Sequence, residues 1–172
     1  RLFRGETGLA LDPGSLYIRG EGGSPAHYTK LFWEWASWKN RRLLEVAGRL
    51  REAVRKKRPS TKFAINLMYE SVVKPPYSLA WLSQDMGAAK RSGFDYYSIM
   101  AYHRQMEEEL GQTPEEIKTV IRKMIRDVVE TVGDAGKALI KFQTVDWKTG
   151  GRLPDSEVLE LVREVEGAGG LS

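Results

Sequence analysis

Phe94-Asp95-Tyr96-Tyr97-Ser98-Ile99-Met100-Ala101-Tyr102, then Thr113-Pro114-Glu115-Glu116 opening a long periodic segment, then Ala138-Leu139-Ile140-Lys141-Phe142, is the stretch whose reading decides the architecture. The two outer pieces are short, mostly apolar runs, as a parallel strand buried on both faces requires. Between them, Thr113 is placed as an N-cap, Pro114 takes the first helical position and Glu116 completes a capping box. Ile117, Ile121, Met124, Val128 and Val132 then line one face at helical spacing, and Gly133 and Gly136 end the run. Strand, helix and strand in that order form a crossover unit, so the two strands lie parallel.

The same alternation continues in both directions. Upstream, Lys62 to Tyr69 reads as another buried strand. It is preceded by a helix opening at Ser37, carrying Leu43, Ala47, Leu50 and Val54, and stopping at Arg58-Pro59. After the loop Val73-Lys74-Pro75-Pro76, Ser78 caps a helix lined by Leu82, Met86 and Ala89 that ends at Ser92-Gly93. His103 to Gln112 reads as a polar loop. Downstream, the loop Asp146 to Gly151 leads to Asp155 as a cap and to Val158, Leu161, Val162 and Val165 as a last helical stripe. Leu16-Tyr17-Ile18 is the best strand candidate in the Gly- and aromatic-rich front.

Three clear strands and one further candidate, alternating with helices, predict an α/β fold. The expected form is the C-terminal half of a (β/α)8 TIM-type barrel, about four βα units, with an open doubly wound sheet as the competing arrangement. No Gly-x-Gly-x-x-Gly turn follows any strand. The 172 residues are read as one partial domain, because a full barrel takes about 250 residues. Half a barrel exposes two sheet edges, so the expectation includes a missing N-terminal barrel half, a partner copy, or a rearranged closure.

Composition removes whole classes of chemistry. The chain has no cysteine, which excludes disulfides, thiolate nucleophiles and Cys-based zinc sites. Two histidines far apart exclude a histidine-rich metal centre, and neither a metal nor a cofactor is expected. No apolar run is long enough to span a membrane. Lys and Arg outnumber Asp and Glu by 27 to 23, and many of these cations fall between Lys39 and Arg58. A solvated helix face is the commoner meaning of such a run, and nucleic acid is not an expected partner.

In either parallel architecture, ligands bind beyond the C-terminal ends of the strands. Asn66, Tyr69 and Glu70 follow one strand; Tyr102, His103, Gln105 and Glu107 the next; Gln143, Asp146 and Trp147 the last. Amides, carboxylates and aromatic rings on one rim suit a sugar, whose hydroxyls take hydrogen bonds and whose C–H faces pack on rings. Each has a plainer reading: Asn66 as a satisfied core amide, Tyr69 and Tyr102 as plugs, His103 as a loop hydrogen-bonder, Glu107 to Glu109 as a solvated acidic run. Trp147 resists one, because a large ring in a polar turn has no evident core role. Trp33, Trp35 and Trp38 raise the same question.

The segments Lys141-Phe142-Gln143-Thr144-Val145-Asp146-Trp147-Lys148-Thr149-Gly150 and Leu153-Pro154 resemble the C-terminal glycoside hydrolase domain of PgaB-type poly-β-1,6-N-acetyl-D-glucosamine deacetylases. Ala64 to Tyr69 with Val72, Val73 and Pro75 is similar to that family's Ala-Arg-Asn-Leu-Tyr strand and loop. Tyr97 to Tyr102 with Met106-Glu107 is similar to its Met-Ala-Met-Pro segment and trailing Met-Glu. The resemblance spans residues 37–168. It implies half of a barrel that binds and hydrolyses partially deacetylated β-1,6-linked glucosamine polymer in an electronegative groove, in the periplasm or at the outer membrane. Asn66, Tyr102, Glu107, Gln143, Asp146 and Trp147 match motif positions and become groove candidates.

One departure lies at the front. Where the family carries Phe-x-Asp-Asp, this chain has Leu2-Phe3-Arg4-Gly5-Glu6-Thr7, so Glu6 is the only matching acid, with Asp12 and Glu21 as alternatives. Glycoside hydrolysis needs a proton donor and usually a second group as base or nucleophile. Glu6 and Glu107 are the catalytic candidates, and a non-catalytic carbohydrate-binding barrel is the alternative.

Overall fold

The computed structural model describes residues 1–18 and 27–168. A short helix α1 (Leu2–Thr7) precedes two brief strands, β1 (Tyr17–Ile18) and β2 (His27–Tyr28), which pair antiparallel. The long helix α2 (Lys30–Arg55) leads into β3 (Ala64–Met68). Short helical pieces follow: α3 (Glu70–Val73), α4 (Pro75–Tyr77), a π turn over Ser78–Leu82, and α5 (Met86–Arg91). Then come β4 (Tyr96–Ala101), α6 (His103–Leu110), α7 (Pro114–Val132), β5 (Ala138–Phe142) and α8 (Asp155–Gly167).

β3, β4 and β5 form a parallel sheet in sequential order, with Asn66 beside Ser98 and Ser98 beside Leu139. Side chains alternate across a sheet, so this register sorts residues onto two faces. Leu67, Tyr97, Ile99, Ala101 and Ala138 point into one core with Met106, Ile117, Ile121, Met124, Ile125, Val128, Leu161 and Val165 from the helices. The opposite face carries Ala64, Asn66, Leu139 and Lys141, all exposed. One face of the sheet is therefore packed and the other open.

The front of the chain departs from expectation. Tyr17–Ile18 is no fourth parallel strand: its partner is the adjacent β2, and Ile18 remains 64% exposed. Three apolar residues between glycine-rich segments have too little chain to cross a sheet. Among the described residues the parallel sheet has three strands.

Helix boundaries shift for local reasons. α2 starts eight residues before Ser37, at the cap Thr29, whose hydroxyl accepts the Phe32 amide at 3.3 Å. Phe32, Ala36 and Asn40 line its buried face, a four-residue spacing masked in sequence by the intervening tryptophans. Part of its basic run is committed to structure. Arg55 donates to Asp95 Oδ2 at 2.9 Å, and Arg51 donates to the Gly93 carbonyl at 2.7 Å while lying over the Phe94 ring.

The helix expected from Ser78 to Ser92 is broken. Ser83 takes a left-handed conformation at φ 55°, its carbonyl accepting from Asn40 Nδ2 at 2.8 Å, and Asp85 caps a new start by accepting the Ala88 amide. His103 to Leu110 is helical rather than a loop. Buried His103 and Met106, three residues apart, anchor it, and left-handed Gly111 ends it.

The capping box on α7 forms as read, with the Thr113 amide donating to Glu116 Oε2 at 2.8 Å and the Glu116 amide to Thr113 Oγ1 at 3.4 Å. Replacing the cap, Thr113→Ala, is expected to cost about 1 kcal/mol. Urea unfolding should show a lower midpoint with an unchanged slope.

Candidate functional site

The site is built where β4 and β5 end. β4 stops at Ala101; Tyr102 caps α6 without a side-chain bond, and His103 turns inward to 3% exposure. β5 stops at Phe142, and Gln143, also buried, donates through Nε2 to the Val145 carbonyl at 2.8 Å. The chain then folds into a tight turn closed by the Asp146 amide on the Gly151 carbonyl at 2.8 Å and the Gly150 amide on the Asp146 carbonyl at 2.7 Å. Asp146 Oδ1 accepts the Lys148 amide at 2.8 Å and the Thr149 amide at 3.3 Å.

Arg104 links the two strand ends. Its Nε and Nη2 each lie 2.9 Å from an oxygen of Glu157, on the first turn of α8, and its Nη1 lies 2.6 Å from Asp146 Oδ2. His103 Nε2 reaches the same Glu157 at 2.7 Å. The Arg104 and then the His103 bonds hold the Glu157 carboxyl down at about 2, against partial desolvation. The turn amides of Lys148 and Thr149, then Arg104, hold Asp146 below the usual carboxylate range. Arg104 itself is raised by its bonds to Glu157 and Asp146.

Beside this network lies a cavity of about 870 Å³ lined by Glu107, Asp146, Trp147, Glu157 and the first turns of α7 and α8. Six carboxylates face it against three Lys or Arg, a balance suited to a polyol or cationic sugar rather than an anion. Trp147 is 58% exposed, and its ring meets Tyr102 edge-on with centroids 5.0 Å apart. Among the described residues Glu107 forms no ion pair, whereas Asp146 and Glu157 are both taken by Arg104. No cluster of side chains suited to a metal occurs among the described residues.

Of the residues expected from sequence, His103, Gln105, Glu107, Gln143, Asp146 and Trp147 share this cavity, and Tyr102 joins through the Trp147 ring. The others lie apart. Asn66 is on the open sheet face, accepting from Lys141 Nζ at 2.9 Å. Tyr69 is 2% exposed beneath the helices and donates to Glu109 Oε2 at 2.6 Å, with burial and then Glu109 raising its phenol. Glu6, on α1, does not line the cavity; it accepts from Trp38 Nε1 at 2.8 Å and lies 3.6 Å from Arg42. Asp12 caps a turn by accepting the Gly14 amide, and Glu21 falls outside the described residues.

Three further residues escaped sequence reading. Arg104 and Glu157 lie 53 positions apart and have no local signature. Trp81 stands 62% exposed in the π turn after β3, edge-on to Tyr28 at 6.3 Å. Like Trp147, Trp81 is a large ring in a break between elements. Of the earlier tryptophans, Trp33 and Trp35 pack around Phe32, and Trp38 meets Phe3 edge-on.

The described fold is that of an α/β domain with a parallel sheet. Residues 25–172 match the model described as Hypothetical glycosyl hydrolase family 13, and the chain belongs to that family. Its fold is similar to that of the PgaB (BpsB) glycoside hydrolase domain from Bordetella bronchiseptica, with a TM-score of 0.76 and 21% identity over 99% of this chain. The chain spans 44% of that domain. A search of curated proteins finds no match.

Because the folded-state pKa of Glu157 lies below its ordinary 4.5, its network contributes fully above that pH and is lost as pH falls toward about 2. Glu157→Gln should therefore lose less thermal stability than the natural chain between pH 5 and pH 2.5. Melting curves across that window check it.

Proposed function

We propose that the chain is the C-terminal half of a (β/α)8 barrel that binds partially deacetylated β-1,6-linked N-acetylglucosamine polymer and takes part in its hydrolysis. The observation that carries this reading is the exposed Trp147 ring, braced by Tyr102, beside a cavity whose Glu107 carboxylate is left without a cation among the described residues. The ring offers the stacking surface that sugar C–H faces take, and the acidic wall suits ammonium groups on deacetylated residues. Membership in a glycosyl hydrolase family supports the reaction class.

Support for the half barrel comes from the sheet. Three sequential parallel strands, helices on one face and an open second face are what a barrel arc presents. The open face, with Asn66 and Lys141, is then the barrel interior. Trp81 and Tyr28, near the chain leaving β3, supply a second aromatic surface for a long polymer.

Glu107 is assigned as one carboxylate of the reaction and Glu6, from the resemblance, as the other. Asp146 is assigned to holding the turn, since both of its oxygens are engaged. A periplasmic or outer-membrane location accompanies this reading. No described helix is long and apolar enough to cross a membrane.

One observation favours the non-catalytic alternative: Glu6 is bound to Trp38 and Arg42 and does not line the cavity. Incubating soluble β-1,6-glucosamine polymer with the intact protein separates the two. Hydrolysis releases reducing ends that Glu107→Gln abolishes, whereas a binding barrel releases none yet retains the polymer. Removing the ring, Trp147→Ala, should weaken polymer affinity by about 1 kcal/mol, roughly fivefold, in calorimetric titration. Affinity unchanged by that substitution would remove Trp147 from the site.

A further inference from the structure

The side chain that organises this site is not one that sequence pattern selects. Arg104 meets Glu157 through two parallel bonds at 2.9 Å and Asp146 through a third at 2.6 Å, so one guanidinium joins α6, α8 and the turn after β5. The planar fork of arginine makes such a three-way junction, whereas the ammonium of lysine, a point charge, cannot reproduce it. Asp146 spends its other oxygen on the amides of Lys148 and Thr149, the two residues that follow Trp147. Trp147 is thereby held between a residue anchored to Arg104 and two amides anchored to the same carboxylate. Its ring lands on Tyr102, two residues before Arg104 on the same chain, and the circuit closes.

We propose that Arg104 is a positioning residue: it fixes the Trp147 turn to α6 and α8, and so presents the indole ring to a sugar. The second half of this statement rests on the proposed function; the first does not. The Arg104 side chain is 36% exposed, and partly solvated ion pairs contribute little to stability. Its effect falls instead on the turn. Besides the ring contact, the other side-chain tie between α6 and that turn among the described residues is Lys148 with Glu108 at 3.0 Å, which is largely solvated. Removing Arg104 would also leave Asp146 and Glu157 without the cation they share.

Two readouts in the intact protein test this, one independent of sugar. Hydrogen exchange at the Lys148 and Thr149 amides reports the turn, and titration with a β-1,6-linked glucosamine oligomer reports the ring. Arg104→Met should speed exchange at both amides and weaken oligomer affinity by up to roughly fivefold, the loss set by removing the ring itself, seen in KM rather than kcat if turnover occurs. Arg104→Lys should recover part of both effects. Combining Arg104→Met with Asp146→Asn should weaken affinity no further than the worse single change, since both break one link. If Arg104→Met fails to fold, Arg104→Lys carries the same comparison with a smaller change.

Unchanged exchange at Lys148 and Thr149 overturns the proposal, as does faster exchange with oligomer affinity equal to that of the natural chain. A natural chain that binds no oligomer, while its Arg104→Met form exchanges faster, sinks the sugar reading and leaves the clamp standing.

Discussion

β4 is paired on both edges, and that double pairing is the constraint from which the rest follows. A central parallel strand has all of its main-chain groups bonded to its neighbours, so its register sets theirs: Met68, Met100 and Lys141 come level, and the three strands end close together. The helices cover one side of this sheet. Ile99 and Ala101 are fully buried there, against Ile121 and Val128 of α7. Because all three strands run the same way, the residues just beyond their ends meet on one rim, although they come from segments about 40 residues apart.

At that rim, charge does what the core cannot. Arg104 is shared by Asp146 and Glu157, and the same carboxylate of Glu157 also takes buried His103. These bonds keep both acids ionised far below neutral pH and remove them from chemistry. Glu107, on the same short helix, is left without a cation among the described residues. Arg104 and Glu107, three residues apart on α6, both line the cavity, but it is Arg104 that the acids of the network engage.

Much of this was legible in the order of residues. Thr113, Pro114 and Glu116 announced α7 because a capping box is a local device, complete within four residues. The three parallel strands were visible as short, mostly apolar runs, although Ala64, Asn66, Leu139 and Lys141 on their open face are exposed. α6 was missed because its anchors are only His103 and Met106, and eight residues with two inward positions look like a loop. The front strand was misassigned for the opposite reason. Leu16-Tyr17-Ile18 has strand composition, but its partner is the adjacent β2 and not the sheet. Of the candidate site, Trp147, Asp146 and Gln143 stood out through a specific motif. Tyr69 and Asn66 follow or lie on a strand like the others, yet side-chain alternation sends one under the helices and the other to the open face.

By itself, the sequence determined the alternation of strand and helix, the parallel sense of the sheet, the family and the block around Trp147, all properties written in contiguous residues. Only the tertiary structure decided which carboxylates are free and which are spent. That choice depends on Arg104, Asp146 and Glu157 arriving at one point from three elements, with separations of 42 and 53 residues, and no local pattern encodes such a meeting.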